Sequence, residues 1–409
     1  LTLHHPNERR NIKQAGDAST RSQSGHSRAC WVPRLHDLIV AEIRRSGPMP
    51  FSRYMELCLY HPELGYYSQA REQFGRAGDF YTSSDVHAVF GRLLTRQFEE
   101  MWRELGSPNT IDLIELGPGR GLFASDVLDW CKGKFPEFAG ALRYVLVEQS
   151  ATFRARLEQR LGGHLSASRT CIVSNFEEAA ETAPRNLIVF ANEFFDALPV
   201  EILDHGGAVR VCEADGRLFE HFAPPSSAEL DFLDRYSVHP RQGERIEASL
   251  GAMEWTTRIA RAFEERRGFA VFIDYGYTRE QQLAGRFRDT VMTYRRHCAG
   301  HNPYQNPGGE DITAHVNFTA LCAAAAKEGL EPLGLVTQSE FLMGIGEATQ
   351  LSDALESCRL PQEKAKVALQ LKHLISPEGM GEIFQVLLLS HGVAKEKAAQ
   401  LSGLRFGVN

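Results

Sequence analysis

The run Glu115-Leu116-Gly117-Pro118-Gly119-Arg120-Gly121 constrains the fold of this chain more than any other feature. It follows a short apolar stretch that begins at Ile111 and has the length of a buried strand. Beyond it Phe123, Val127 and Trp130 stand at i, i+4 and i+7, the spacing of a helix face laid on a sheet. Strand, glycine turn and helix together open a crossover unit, and the glycines let backbone approach a ligand with no Cβ in the way. A dinucleotide fingerprint needs its third glycine one place later, where this chain has Leu122. The phasing therefore favours another nucleotide-like ligand.

The same alternation continues through the chain. Apolar runs near Ile111–Leu116, Tyr144–Val147, Cys171–Val173, Leu187–Ala191 and Phe269–Ile273 are predicted strands, separated by helical segments. That pattern predicts an α/β fold: a mostly parallel, Rossmann-like sheet with helices on both faces. Further strands are predicted at Val291–Tyr294, Leu333–Thr337 and Phe384–Leu389, with a helical piece across Leu351 to Leu374. Upstream, Leu35, Leu38, Ile39 and Ile43 mark a helix stopped by Gly47-Pro48, and a second runs from Phe51 to Tyr60. A third, from Ser84 to Leu105, keeps helical period through Val89, Phe90, Leu93, Leu94 and Phe98. The domains expected are an extension over 1–32 with the composition of disorder, a helical lid region over 33–105, and a ligand-binding domain over 106–392. The last carries an insertion over 200–266, with a hairpin around Gly206-Gly207, and a tail follows over 393–409. An insertion at the carboxyl ends of strands four and five is placed to shape a substrate site.

Several classes are excluded. A net charge of -7 argues against a protein that holds nucleic acid by broad electrostatic contact. The eight cysteines form no CxxC pair and no metal-ligand spacing, so neither a zinc site nor a disulfide framework is expected. No apolar run is long enough to span a bilayer, so stable membrane insertion is not expected. The Arg- and Ser-rich start shares composition with a mitochondrial transit peptide, but Glu8, Asp17 and the missing amphipathic face favour a bacterial cytoplasm, with the mitochondrial matrix as the alternative.

S-adenosylmethionine suits the turn, because its polar ends are an amino acid zwitterion and a ribose diol. Glu115 fits the ammonium, and Gly117, Gly119 and Gly121 the backbone approach. Glu148, at the end of the second strand, can accept both ribose hydroxyls. Asn175 and Phe176, after the third, are candidates to hydrogen-bond and stack on adenine. A second motif, Asn192-Glu193-Phe194-Phe195-Asp196-Ala197-Leu198-Pro199, follows the fourth strand, where a transferred group would meet its acceptor. Asn192, Glu193 and Asp196 are the candidate catalytic residues, able to hold a cationic acceptor or take its proton. A helix N-cap would explain Asp196 without chemistry.

From about Gly47 to about Ser390 the chain resembles the MidA family, the complex I assembly arginine methyltransferase of mitochondria and its bacterial relatives. The landmarks are His61-Pro62-Glu63-Leu64-Gly65-Tyr66-Tyr67, Gly78-Asp79-Phe80-Tyr81-Thr82, the Glu115–Gly121 turn, Val147-Glu148, Asn192 to Pro199, Ile273-Asp274-Tyr275-Gly276, Asp311 to Phe318 and Gly379-Met380-Gly381-Glu382. The resemblance implies a class I methyltransferase fold, S-adenosyl-L-methionine as cofactor, and a protein acceptor such as a respiratory complex I subunit. It also implies that Gly78 and Asp79 belong to a lid over the cofactor, and that Asp274 and Tyr275 lie near the acceptor. A homodimer, with the segment after Leu351 as contact surface, is a further expectation. Two departures stand out: Ser84-Asp85-Val86-His87 where the family more often has Pro-Glu-Ile-Ser, and Asn317 where it has aspartate. Both are positions where acceptor choice would change. The rival readings are a small-molecule methyltransferase and a non-catalytic assembly factor, with a nicotinamide dehydrogenase weakest.

Overall fold

The computed structural model describes residues 34–69, 88–166, 169–295, 298–300, 302–356 and 358–407. The extension over 1–32, the start of the helix predicted from Ser84, and Gly78 and Asp79 of the expected lid lie outside them.

Strands β1 (Ile111–Leu116), β2 (Leu142–Val147), β3 (Thr170–Val173) and β4 (Asn186–Asn192) pair in parallel, in the order β3-β2-β1-β4. The sheet continues from β4 through a long strand at Arg267–Tyr277, then the antiparallel Phe384–His391, and ends at Glu331–Thr337. Its parallel part is buried on both faces, which is why these strands read as continuous apolar runs. One face packs Phe190, Tyr144 and Val271 against helix α1 (Ala88–Glu104) and helix α2 (Leu122–Lys134) through Phe90, Phe98 and Phe123. The Phe123 and Phe190 rings stack with centroids 4.6 Å apart. On the other face Ile114, Val189 and Phe272 meet Ile259, Phe263 and Leu321.

Between β4 and the long strand, the chain builds an antiparallel sheet from Glu201–Asp204, Gly207–Ala214, Arg217–Ala223 and Arg245–Ala248, with a tight turn at 205–206. Helices Leu35–Ser46 and Phe51–Tyr60 bury Ile39, Phe51, Tyr54 and Leu59 against Val200 and against Ile202, Val209 and Val211 of that sheet. Met49 also pairs with Val211. Residues far apart in sequence thus form one satellite core, while Ala88–Glu104 belongs to the main one.

Two local expectations change. The strand near Val291 forms at Met292–Arg295, but it joins Cys298–Gly300 and Asp311–Thr313 in a separate small sheet. The helical piece after Leu351 is divided into Ser352–Leu355 and Pro361–Ile375, the second starting at a proline in its first turn, where the missing N–H costs nothing.

Candidate active site

Register alone brings the acidic residues together. Leu116 pairs with Val147 and with Ala191, and Asn192 pairs with Ile273, so the carboxyl ends of four strands form one rim. Along that rim lies a cavity of about 900 Å³, lined by Glu115, Gly117, Gly119, Glu148, Asn175, Asn192, Glu193, Asp196 and Tyr275 among others.

At one end sits the glycine turn. Gly117, Gly119 and Gly121 all take positive φ, at 62°, 52° and 70°, a conformation that L side chains resist. Gly117 and Gly119 line the cavity. Gly121 does not: a Cβ there would meet Leu157 Cδ2 at 2.6 Å, so this glycine lets helix α2 pack against the helix Ala151–Leu165. The Glu115 carboxyl is buried, accepts the Tyr144 hydroxyl at 2.8 Å, and is pushed up by burial to about 8. Glu148 accepts the Ser150 amide at 2.7 Å and is pushed up by burial to about 7.

The adenine candidates are revised. Phe176 is only 2 % exposed and packs in the core under Trp255, so it presents no face for stacking. Trp255, from the helix Leu250–Arg261, lines the cavity instead, with the Arg258 guanidinium 4.0 Å from its ring centroid. Asn175 lines the cavity, but its side-chain oxygen caps the helix Phe176–Glu181 by accepting the Glu178 amide at 2.9 Å.

At the other end the turn 193–196 is held from below. Asp274, fully buried, accepts the backbone N–H groups of Phe194, Phe195 and Asp196 at 3.2, 3.0 and 3.2 Å. No helix starts at Asp196, so capping does not explain it. Glu193 takes φ 51°, uncommon for a side chain of this size and a mark of backbone fixed by its surroundings. The Asn192 amide donates to Glu193 at 3.2 Å. Asp196 accepts the Tyr275 hydroxyl at 2.5 Å with one oxygen, and burial pushes its carboxyl up to about 6. Its other oxygen, Asn192 Oδ1 and His315 Nδ1 are buried and find no hydrogen-bond partner among the described residues. Buried acceptors are normally paired, so unpaired ones lining a cavity mark where a donor-rich ligand fits. His315, which lines the same end, is held down to about 4 by burial and brings no positive charge.

Residue types and order identified neither Asp274 as the anchor of the turn nor the wall formed by Tyr60, Tyr67, Tyr294, Asp311 and Thr313. Several of these lie inside the motifs quoted above, which was the available signal. Asn317 is corrected: it is fully buried, caps the helix Phe318–Lys327 through the Ala320 amide and donates to the Tyr236 carbonyl. Lacking any place in the cavity wall, it gives no ground for altered acceptor choice.

The glycine-turn end, with the Glu115 and Glu148 carboxyl groups on its rim, fits S-adenosylmethionine. Among the described residues no group of acidic, histidine or cysteine side chains could hold a metal ion, and Cys58, Cys131, Cys171, Cys212, Cys322 and Cys358 are free thiols. No described helix is long and apolar enough to cross a membrane.

Known proteins resemble the chain along most of its length. The family described as S-adenosyl-L-methionine-dependent methyltransferase matches residues 93–336. A Drosophila melanogaster protein named protein arginine methyltransferase NDUFAF7 homolog, mitochondrial, is 29 % identical over 408 residues, covering 93 % of this chain and 89 % of its own. The human protein arginine methyltransferase NDUFAF7, mitochondrial, is 26 % identical over 88 % of this chain and 83 % of its own. A crystal structure from Burkholderia thailandensis, bound to S-adenosyl-homocysteine, superposes with a TM-score of 0.76 at 29 % identity, covering 91 % of this chain and 95 % of that one.

Proposed function

Because the chain belongs to the S-adenosyl-L-methionine-dependent methyltransferases, we propose that it transfers the cofactor's methyl group to an arginine side chain of a protein acceptor. Asp196 carries this reading. It is a buried carboxylate with one oxygen unpartnered, no lysine or arginine among the influences on its charge, and a place on the cavity wall. A guanidinium supplies the missing charge and N–H donors in one planar group. The arginine methyltransferase names of the fly and human relatives support the same acceptor.

In this reading Gly117 and Gly119 give backbone room to the cofactor, with Glu115 toward its ammonium and Glu148 toward its ribose. When bound, the cofactor supplies a methyl on sulfur open to in-line displacement, and each methyl gained by a guanidinium releases one proton. Asp196 orients the acceptor and takes that proton at its unpartnered oxygen, being ionised at neutral pH with its carboxyl near 6. Asn192 and Glu193 fix the acceptor's angle from the strand end.

The mitochondrial names of the fly and human relatives support a mitochondrial setting, and the Burkholderia structure supports a bacterial one. Family resemblance makes a subunit of respiratory complex I the first acceptor to test. The purified protein is incubated with labelled methyl donor and extract, and labelled products are identified by mass spectrometry. Methylarginine in a protein is the expected product; label confined to small molecules would overturn the proposal.

A further inference from the structure

Beyond Glu193 and Asp196, the acceptor end of the cavity has a further carboxylate. Asp311 opens the short strand Asp311–Thr313, pairs across the small sheet with Tyr294, and is 1 % exposed although it lines the cavity. One of its oxygens accepts the Tyr67 hydroxyl at 3.0 Å and the Ile312 amide at 3.1 Å. Three residues on, the Ala314 amide donates to the Asp196 carbonyl at 3.0 Å, which fixes the two aspartate segments to each other. After burial, the charges of Asp311 and Asp196 are among the influences that push the hydroxyls of Tyr60, Tyr67 and Tyr294 upward. Tyr67, which donates to Asp311, stacks on Tyr60, and Tyr60 donates to the Ala197 carbonyl beside Asp196, so both carboxylates border one aromatic wall.

We propose that Asp311 is a specificity-determining residue for the acceptor, gripping with Asp196 the two edges of a planar cation; this rests on the reading that the acceptor is arginine. Both carboxylates line one cavity and each is held by a tyrosine hydroxyl, so a ligand that donates along two edges can be gripped by the pair. A guanidinium has N–H groups along more than one edge and a charge spread over its plane. An ammonium is a compact point charge on a flexible stem and cannot span the pair in the same way. Tyr67 holds Asp311 in place, and Tyr275 does the same for Asp196.

Asp311→Asn keeps the shape of the side chain and an oxygen for Tyr67 while removing the charge. Steady-state kinetics on an arginine peptide and its lysine counterpart, with calorimetry of S-adenosylhomocysteine binding, test the role. KM for the arginine peptide is expected to rise about tenfold or more, with a smaller change in kcat and a reduced preference over lysine. Affinity for S-adenosylhomocysteine should stay within about twofold. Tyr67→Phe, which removes one hydroxyl, should raise KM in the same direction by less. Unchanged KM in Asp311→Asn, or a parallel loss of cofactor affinity, overturns the proposal. If Asp311→Asn fails to fold, unchanged KM in Tyr67→Phe overturns it instead. Arginine labelling by the wild type with an unaffected Asp311→Asn removes this inference alone, whereas wild-type labelling of another side chain removes the reading beneath it.

Discussion

Burial sets the charge of the two acidic groups at the cofactor end, and this makes binding pH-dependent. Glu115 is held up to about 8 and Glu148 to about 7, so both carry protons through much of the neutral range. An ammonium and a ribose diol bind best to the ionised forms, so binding releases protons and affinity rises with pH. Calorimetry with S-adenosylhomocysteine should show stronger binding between about pH 6 and pH 8, by up to about tenfold per unit for each group, and a plateau above. Glu115→Gln and Glu148→Gln should each flatten part of the slope, and a level wild-type profile would remove both from their proposed roles. At the acceptor end the relevant form of Asp196 is the carboxylate, so kcat should fall as pH drops through about 6. Glu193→Gln should spare cofactor binding but cut turnover by about a hundredfold, and unchanged kcat would dismiss it. The acidic strand ends were legible because residue type and strand position suffice to place them. Phe176 was misplaced because a position after a strand names the loop and not the direction of the ring. Trp255 and Asp311 come from segments distant in sequence, and no local pattern says that they line this cavity.

Among the elements, the turn between β1 and helix α2 combines backbone strain with close packing. Gly121→Ala would force a side chain into the left-handed region and against Leu157, a cost of about 2–4 kcal/mol. Denaturant unfolding should show that loss, and a variant as stable as the parent would refute the packing role. Periodicity made the first two helices readable and runs of apolar residues made the strands so, since both faces of the sheet demand apolar residues at most positions. It said less about the segment after Leu351, where Pro361 restarts the helix, and about Met292–Arg295, whose partners are set by a small separate sheet. Pairing in such a sheet depends on which strands come within reach, and that information is spread over the whole chain.

At the scale of the molecule, residues 34–60 are built into the satellite core and are more than an appendage to the catalytic sheet. Phe51, Tyr54, Met55 and Leu59 are fully buried there, and Tyr60 reaches the cavity while donating to the Ala197 carbonyl at 2.8 Å. Removing residues 34–69 should therefore expose the apolar face of the Gly207–Ala214 sheet and leave the turn after Asp196 short of a partner. Such a variant is expected to aggregate or lose its cooperative melt, measured by solubility and calorimetry; a soluble, active remainder would show that the two cores are independent. The strand Phe384–His391 sits between Arg267–Tyr277 and Glu331–Thr337, bonded to both along its length. It is the latest of the sheet strands to be synthesised, yet it occupies an interior place. While the ribosome is still adding that segment, two neighbouring strands have unpaired edges and no way to close on each other, so the nascent chain needs shielding until its final strand emerges.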